Sequence, residues 1–326
     1  MKWTWKAVKL LLVTVLLITA VRHFDLVRDS RGTVTIVLDG MALSAAEAET
    51  ICQNEAEQDE PLSVCFFGEQ TVQVSCEENG KNASVTLILA AGNFTLLAQG
   101  GTALNWMEDG CLLDQNTASS IFGTSQTSGQ YLWISGEAYQ VCATFESELP
   151  AVIRNAAASD ENALTQAILK ASSQDEDNLS GKAEQFLTRH SLSGTVVSTD
   201  HLIVLVGDLL LLVPLALLGR LVGTIMRERA SRPRRKEDRF VRGNAGLLFI
   251  SIFVTIWLAL HYFEIPSDMI PTRWSDFSFW GTWLEEQKKN ILLLLTTPLG
   301  KIQTQILWNC LISLSADLAA AFLALL

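Results

Sequence analysis

The sequence predicts a membrane protein with four transmembrane helices and an α+β extracytoplasmic domain inserted between the first helix and the second. Three observations predict this fold class. Hydrophobic residues make up 49% of the 326 residues and concentrate near the N-terminus and after residue 201. The region between, residues 25–200, is acidic, with 7 Lys/Arg against 25 Asp/Glu. A basic segment at residues 220–242, with 9 Lys/Arg against 3 Asp/Glu, separates two later apolar runs.

The first predicted transmembrane helix runs from about Trp5 to Val21, within a segment assigned to residues 1–24. Lysines precede the apolar run and acids follow it, which suits both an uncleaved signal anchor and a cleaved signal peptide. Signal peptidases favour small residues at positions −3 and −1, but Ile18 and Thr19 precede Ala20. We therefore expect an uncleaved helix.

The second predicted helix, from about Leu202 to Met226, is long enough to cross about 30 Å of hydrocarbon. Pro214 interrupts it and is expected to kink it, because proline has no backbone N–H to donate. Asp208 is a candidate intramembrane polar contact with a partner helix or a substrate path. A hydrated position near the outer end of the helix is the alternative for this carboxylate.

Two further apolar runs complete the predicted membrane region, residues 201–326. The third helix, from about Ala245 to Phe263, carries no charged residue. The C-terminal part allows two interpretations. A fourth helix at Ile302–Leu326 follows an amphipathic or interfacial helix at Trp280–Leu295, or a span at residues 290–312 leaves the tail on the surface. We prefer the first interpretation.

Orientation follows from the distribution of Lys and Arg, which are enriched on the cytoplasmic side of membranes. The basic loop at residues 227–242 and the N-terminus are predicted to be cytoplasmic, and the acidic domain to be extracytoplasmic. The lipid bilayer is therefore a predicted partner. Nucleic acid is not, since its phosphates require clustered Lys/Arg and the domain is acidic.

The domain at residues 25–200 is predicted to contain a mainly antiparallel sheet with a few helices. Ser44 and Glu47 have capping-box spacing and begin a predicted helix at Ala45–Asn54. Strands are predicted at Val34–Asp39, Leu62–Phe67, Val72–Cys76, Ala83–Ala90 and Cys111–Leu113, and Tyr131–Phe145 forms a hairpin turning at Ser135–Glu137. Four side chains of its second arm alternate onto one predicted face: Tyr139, Val141, Ala143 and Phe145.

Further helices are predicted in the second half of the domain. Asp114 is expected to cap a helix at Asn116–Phe122, which Gly123 ends. Beyond residue 150 the pattern is polar and helical, and it predicts two helices and the acidic linker between them: Asn162–Ala171, Lys182–Arg189 and Ser172–Ser180.

Six cysteines are present, of which Cys310 lies in the last apolar run. The other five are an odd number without C-x-x-C spacing, so they indicate neither a full disulfide framework nor a zinc site. Cys65, Cys111 and Cys142 lie in apolar, strand-like runs. We interpret the cysteines as small buried side chains, with one disulfide plus leftover thiols as the alternative.

The sequence lacks the motifs that would indicate catalysis. It contains no G-x-x-x-x-G-K-S/T loop, no H-E-x-x-H and no G-x-S-x-G. The four histidines are scattered near predicted membrane boundaries and are interpreted as interfacial polar residues. We therefore predict that the chain is not an enzyme and needs no cofactor or metal.

Three consecutive stretches carry a family resemblance: GCLLD at Gly110–Asp114, NTASSIFG at Asn116–Gly123 and SGQYLWISGEAYQVCATFES at Ser128–Ser147. With LSAAEAETI at Leu43–Ile51 and the plan of one helix, an external domain and three helices, they resemble MacB/FtsX-type ABC transporter permeases. The chain departs from the family at Ser128-Gly129 and Cys142-Ala143, where Val-Gly is usual.

The resemblance implies a permease-like subunit that pairs as a homo- or heterodimer with a permease and is driven by a separate ABC ATPase subunit. Members of the family carry a Glu-Arg-x-x-Glu-Ile-Gly-like stretch after the second span, and here Arg227, Glu228 and Arg229 alone match it. These residues are the candidate ATPase contact, and arginines that only set membrane topology are the alternative. The alternative function is a membrane-anchored extracytoplasmic binding, sensing or regulatory protein without transport activity.

Overall fold

The computed structural model describes residues 2–98, 101–107, 109–160, 163–171, 179–231, 234–263 and 277–325. They fall into two compact units. The helical unit comprises Met1–Arg31, His201–Ile270 and Ile306–Leu326, and the sheet unit comprises Gly32–Asp200 and Pro271–Gln305. The domain boundaries that the sequence suggests, after residues 24 and 200, stay predictions.

Nine α-helices and nine strands follow one another along the described residues. They are α1 Lys2–Arg28, β1 Thr33–Leu38, α2 Ala45–Ala56, β2 Leu62–Ser75, β3 Asn82–Gly92, β4 Gly110–Asp114, α3 Gln115–Phe122, β5 Tyr131–Ile134, β6 Glu137–Phe145, β7 Ala151–Asn155, β8 Gln166–Ala171, α4 Leu179–Arg189, β9 Gly194–Ser198, α5 Asp200–Leu209, α6 Leu212–Ser231, α7 Arg234–Tyr262, α8 Phe277–Thr296 and α9 Lys301–Leu325. Two short 3₁₀ turns, Phe94–Leu96 and Gly101–Trp106, lie between β3 and β4.

Three helical stretches are long and apolar enough to cross a membrane: Val8–Arg28, Asp200–Arg227 and Lys301–Leu325. A shorter apolar helix covers Leu248–Tyr262. The first, second and fourth predicted spans therefore coincide with membrane-length helices, and the third with the shorter one. The total of four spans stays a prediction.

The C-terminal region has two helices rather than one continuous span. Helix α8 ends at Thr296 and α9 begins at Lys301, so the alternative span at residues 290–312 is wrong. The predicted helix at Trp280–Leu295 is confirmed as α8. The non-helical residues between the two helices include Pro298, whose ring fits poorly inside a helix.

The expected kink at Pro214 is confirmed as a break between α5 and α6. Helix α5 ends at Leu209, and Pro214 is the third residue of α6. At the break the Leu210 N–H is shared between the carbonyls of Val206 and Gly207, at 3.3 and 3.2 Å. Such tightening is common where a helix ends. Pro214 in turn has no N–H to donate to the Leu210 carbonyl four residues earlier, so the ladder of helical hydrogen bonds is interrupted here.

The core of the helical unit contains side chains from α1, α5, α7 and α9. Phe24 of α1 packs edge-to-face on Tyr262 of α7, with ring centroids 5.4 Å apart. Gly207 of α5 allows this packing, because a Cβ there would lie 2.8 Å from the Phe24 ring. The principal buried members of the core are Ala20, Phe24, Ile203, Val206, Leu258, Tyr262, Cys310 and Ala316.

The sheet unit is built on nine strands in the order β3-β7-β4-β6-β5-β2-β8-β1-β9. Strand β2 also pairs with β3, so six strands close on themselves and β8, β1 and β9 extend from β2. The β3–β7 and β4–β6 pairs are parallel and the other pairs are antiparallel. The prediction of a mainly antiparallel α+β domain is confirmed.

Two buried clusters cover the two faces of the sheet. On the first face Ala48 of α2, Ile121 of α3 and Phe186 of α4 pack against strand side chains. On the second face Phe94 and Leu104, from the short turns after β3, pack against Phe67, Ile88, Ile168 and neighbouring side chains. Alternate residues of each strand therefore supply two different apolar layers.

Both predicted helix caps in the domain are confirmed. Ser44 and Glu47 form the capping box of α2. The Asp114 carboxylate accepts the backbone N–H groups of Asn116 and Thr117 at 3.0 and 2.9 Å, and that of Ala151 at 2.9 Å. Gly123 ends α3 in the left-handed conformation at φ 79°. The sequence-based helix boundaries here differ from the structure by one or two residues.

Three predictions for the strands are wrong. The strands predicted at Leu62–Phe67 and Val72–Cys76 are one continuous strand, β2. The helix predicted at Asn162–Ala171 is strand β8, since residues 166–171 pair with both β1 and β2. Beyond residue 150 the structure also has strands β7 and β9. Most of the linker predicted at Ser172–Ser180 lies outside the described residues.

The hairpin β5–β6 turns at Ser135–Gly136, as predicted, but the second arm does not keep one face. The pairing of β6 with β4 shifts by one residue between Cys111 and Leu112, which is a β-bulge at Cys142. Tyr139 and Val141 pack in the first-face cluster, and Ala143 and Phe145 pack in the second. The bulge is the physical reason for the switch.

All six cysteines are free. Burial raises the pKa of the Cys52 thiol to about 11, and Glu49 and Glu55 add to the shift. Burial also raises the pKa of Cys65 and Cys111. These thiols stay neutral at physiological pH, so they pack as small apolar groups and are poor nucleophiles.

Candidate functional site

A strip of polar side chains crosses the second face of the sheet beside its apolar cluster. Along β2 the apolar Cys65 and Phe67 are followed on the same face by Glu69 and Thr71. The strip continues through Thr86 of β3, Gln166 of β8 and Thr35 of β1, which are all buried. Pairing brings these residues together, because Thr71 lies opposite Thr86 and Gln166 lies opposite Phe67. We call these five residues the polar strip.

The start of α9 covers the polar strip. The Glu69 carboxylate accepts hydrogen bonds from the backbone N–H groups of Lys301 and Ile302, at 2.5 and 3.1 Å. The first N–H groups of a helix have no partner inside the helix and carry a partial positive charge. Glu69 therefore acts as the cap of α9, although 232 residues of sequence separate it from Lys301.

Side chains of α9 add three more hydrogen bonds to the strip. The Lys301 ammonium donates to the hydroxyl oxygens of Thr71 and Thr86, at 2.7 and 3.2 Å. The Gln303 amide donates to Thr35 Oγ1 at 2.7 Å. Ile302 packs against the neighbouring apolar cluster. The first turn of α9 is thus held by polar and apolar contacts at once.

Gly300 permits this close approach. A Cβ at that position would lie 2.6 Å from Gln166 Nε2 and 2.8 Å from Glu69 Oε1. Any other residue would push the chain away from the carboxylate that caps the helix. The Gly300-Lys301 pair therefore sets both the distance and the charge of the contact.

This arrangement is suited to anchoring rather than to chemical turnover. Glu69 is half-buried, and its two hydrogen bonds involve a charged acceptor, which makes them stronger than neutral ones. In the part of the chain that the structure describes, no group of three His, Cys, Asp or Glu side chains is placed to hold a metal ion. What the site can do is fix the first turn of a membrane-length helix to a sheet.

The candidate residues from the sequence all belong to the helical unit. Asp208 is half-buried near the end of α5, and Arg227 is exposed in the last third of α6. Glu228 and Arg229 also lie in α6, and their side chains are outside the described residues. Their proposed contacts with an ATPase or a partner helix stay predictions.

The polar strip was not predicted from the sequence. Its signal is the polar stretch Gly68–Thr71 inside an otherwise apolar segment, which by itself predicts a break between two strands. The structure shows an unbroken strand whose polar side chains have distant partners. Gly68 is needed within it, since a Cβ there would lie 1.9 Å from the Ala163 carbonyl oxygen.

A buried ion cluster joins α2 to α4 on the first face. The Glu55 carboxylate is fully buried and accepts hydrogen bonds from Arg189 Nη1 to both oxygens, at 2.8 and 2.7 Å. His190 Nε2 lies 2.9 Å from the same carboxylate, and the His190 ring packs on Phe186. The cluster fixes the end of one helix against the end of the other.

A second ion pair lies at the end of β7. Arg154 makes two hydrogen bonds to the Asp160 carboxylate, at 2.8 and 3.0 Å, and its guanidinium lies over the Tyr139 ring. Burial is the largest single influence on the pKa of Asp160 and would raise it. Hydrogen bonds from Arg154 and the Ala157 N–H, together with the Arg154 charge, outweigh burial and lower the pKa.

Comparisons with known proteins find similarity in fold. No protein-family profile matches the chain, and no curated protein matches it. The chain is similar to the periplasmic region of MacB from Actinobacillus actinomycetemcomitans, at 12% identity over 54% of this chain and 92% of that one, with a TM-score of 0.42. It is also similar to the extracellular domain of the noncanonical ABC-type transporter YknZ from Gram-positive bacteria, at 12% identity over 50% and 97%, with a TM-score of 0.38.

Proposed function

We propose that the chain is a permease-like subunit of a MacB/FtsX-type ABC transporter or mechanotransmission complex, driven by a separate ATPase subunit. In this proposal the chain is a multi-pass protein of the cell membrane with its acidic domain extracytoplasmic, and it pairs with a permease or a second copy. Conformational work passes from the membrane helices into the sheet unit. The observation that supports this proposal is the capping of α9 by Glu69.

The physical argument starts from the continuity of α9. The helix is unbroken from Lys301 to Leu325, so a displacement of its membrane-length part acts directly on its first turn. That turn is bonded to β1, β2 and β3 through Thr35, Glu69, Thr71 and Thr86. The hydrogen bonds of Glu69 and Lys301 involve charged groups and contribute about 1.5–3 kcal/mol each, whereas the neutral Gln303–Thr35 bond contributes about 1 kcal/mol. Contacts of this strength can transmit movement without separating.

The ATPase partner is tested by copurification. Full-length tagged protein is solubilised gently, and copurifying proteins are identified by mass spectrometry. We expect an ATPase subunit with a phosphate-binding loop, and its loss in the Arg227→Ala/Arg229→Ala variant. Arg235→Ala/Lys236→Ala is the matched control, because it removes the same number of positive charges from the basic segment but lies in α7, outside the three-residue match. If no ATPase copurifies, the non-transport binding or sensing function is favoured instead.

Transmission through the polar strip is tested by hydrogen–deuterium exchange of the peptide that contains Gly300–Gln305. In the complex with its ATPase, we expect exchange there to change between the nucleotide-free and the ATP/vanadate-trapped states. Glu69→Gln should raise exchange about tenfold or more and abolish the nucleotide dependence, since a charged acceptor is lost. Glu77→Gln, in the exposed β2–β3 turn, is the control. Nucleotide-dependent exchange that survives in Glu69→Gln would contradict the transmission route.

A further inference from the structure

One face of α9 carries a ladder of buried polar residues inside the helical unit. Asn309, Ser313 and Asp317 follow at four-residue intervals and are all 3% exposed or less. The Asn309 amide oxygen lies 2.9 Å from His23 Nδ1, and the Ser313 hydroxyl donates to the Ala20 carbonyl at 2.8 Å. Asp317 differs from both, because neither of its carboxyl oxygens has a hydrogen-bond partner among the described residues.

The packing of α1 on α9 shows what surrounds Asp317. The two helices run antiparallel, since His23 and Ala20 meet Asn309 and Ser313 in that order. One turn beyond Asp317, Ala320 shares a buried cluster with Val13 of α1 and Val213 of α6. Continuing this register places the apolar Leu16 opposite Asp317. At this level the described neighbours on α1 and α6 are therefore apolar.

Hydroxyl groups on this part of α1 are already used. Thr14 and Thr19 donate to the carbonyls of Leu10 and Val15 within their own helix, at 2.9 and 3.0 Å. They offer no donor to a carboxylate on α9. A negative charge at Asp317, which is 1% exposed, would thus be shielded from solvent and would lack a hydrogen-bond donor among the described residues, which strongly disfavours the ionised form.

The charged and titratable groups on the neighbouring helices lie above or below Asp317 along the helix axis, not beside it. On α1 and α5, His23 is level with Asn309, and Asp208 follows Gly207, which packs on Phe24. That level is roughly 12 Å from Asp317 along the helix axis. On α6, Arg220 donates to the carbonyl of Ala324, roughly 10 Å away in the other direction.

Lys9 of α1 and His261 of α7 also lie away from Asp317 along the helix axis. The α1–α9 register places Lys9 near the level of Ala324. His261 of α7 stacks on Trp257 beside Tyr262, at the Phe24 end of the unit. The sequence of α7 from Gly246 to Leu260 has no ionisable side chain. None of these described groups is therefore placed to neutralise Asp317.

We propose that Asp317 is a proton-binding site of the helical unit, occupied while α1 and α6 pack on α9 and emptied when these helices separate. The bound form is the carboxylic acid, and release of its proton to water leaves the carboxylate. A proton suits the site better than a metal cation, which would need several oxygen ligands where α9 supplies one carboxyl group. Any movement that lets water reach Asp317 would then release a proton.

The direct test is infrared spectroscopy of the full-length protein in lipid nanodiscs at neutral pH. We expect a C=O stretching band of a protonated carboxylic acid that disappears in Asp317→Asn and shifts in Asp317→Glu. Asp208→Asn is the matched control and should leave the band in place. Absence of an Asp317-dependent band would overturn the proposal, as would a band that belongs to Asp208.

Thermal stability gives a second readout. The neutral acid fits the folded unit, whereas the unfolded chain carries an ordinary carboxylate, so the wild-type melting temperature should fall as pH rises from about 5 to about 9. Asp317→Asn keeps the shape without a charge, and its melting temperature should fall less across the same window. An equal dependence of melting temperature on pH in the wild type and in Asp317→Asn would contradict the proposal. The infrared band of the wild type and of Asp317→Glu decides the matter if Asp317→Asn does not fold.

Discussion

Removing Arg189 from the buried ion cluster should destabilise the sheet unit strongly. In Arg189→Gln the fully buried Glu55 carboxylate keeps His190 as its partner among the described residues but loses both hydrogen bonds from the guanidinium. A buried charge that loses its partner is expensive, because water cannot replace the missing donor. The change therefore tests whether the cluster joins α2 to α4 energetically as well as geometrically.

The magnitude follows from the burial of the two partners. Breaking a buried ion pair from one side costs about 3–5 kcal/mol. The Arg189 side chain is 39% exposed, whereas that of Glu55 is 1% exposed. Part of the original attraction is thus screened by solvent, and we expect the lower end, about 3 kcal/mol. For a unit of this size that corresponds to a fall in melting temperature of about 6–12 °C.

The assay is thermal unfolding of the full-length protein in detergent, followed by near-ultraviolet circular dichroism. Lys182→Gln is the control, since its ion pair with the 79% exposed Glu60 contributes about 1 kcal/mol at most. Adding Glu55→Gln to Arg189→Gln removes the buried charge that has lost its guanidinium partner and should recover about 1 kcal/mol or more. Equal shifts in Arg189→Gln and Lys182→Gln, or no recovery in the double variant, would refute the reasoning.

Three further predictions concern the sheet unit. The pKa of Asp160 is lowered in the folded protein, so its ionised carboxylate stabilises the fold above the pKa of an ordinary aspartate, and this stability is lost as pH falls through the lowered pKa. In Asp160→Asn the melting temperature should therefore fall less steeply as pH is lowered through this range. Gly68→Ala places a Cβ against a backbone oxygen and should lower the melting temperature by several degrees, whereas Gly281→Ala on the open face of α8 should be neutral or slightly stabilising. Asp114→Ala removes acceptors for three backbone N–H groups and should cost more than Ser44→Ala, which costs about 1 kcal/mol.

Local features of the fold were predictable because they depend on nearby residues. The Ser44 capping box, the Asp114 cap, the Gly123 helix end and the Ser135–Gly136 turn all have partners within a few positions. The Pro214 break is local as well. In each case the side chain or the missing N–H fixes the backbone without help from the rest of the chain.

The strand predictions were wrong where contacts between residues distant in sequence determine the secondary structure. The stretch from Gln166 to Ala171 contains Ala, Leu and Lys, which suit helices, but pairing with β1 and β2 makes it a strand. The alternation in β6 was interrupted by a bulge at Cys142, which composition does not signal. Tertiary pairing overrode local preference at both places.

The polar strip could not be predicted for the same reason. A carboxylate and two threonines in the middle of a sheet give no indication that their partner is a helix start more than 200 residues away. Conversely, the charges at Arg227 and Asp208 attract attention in a sequence because they stand near apolar runs. A sequence shows directly that a charged residue stands beside an apolar run, but it does not show which distant residue a buried polar side chain will bond to.

The first and last strands of the inserted domain lie side by side at one edge of the sheet. Val34 of β1 is paired with Ser198 of β9, and the Gly32 N–H donates to the Asp200 carboxylate at 2.9 Å. A fold whose entry and exit nearly touch imposes little constraint on the chain that hosts it. A short bridge across that gap would circularly permute residues 32–200 with the strand ladder intact, whereas the contacts of the polar strip are made by a later segment of the chain, the start of α9.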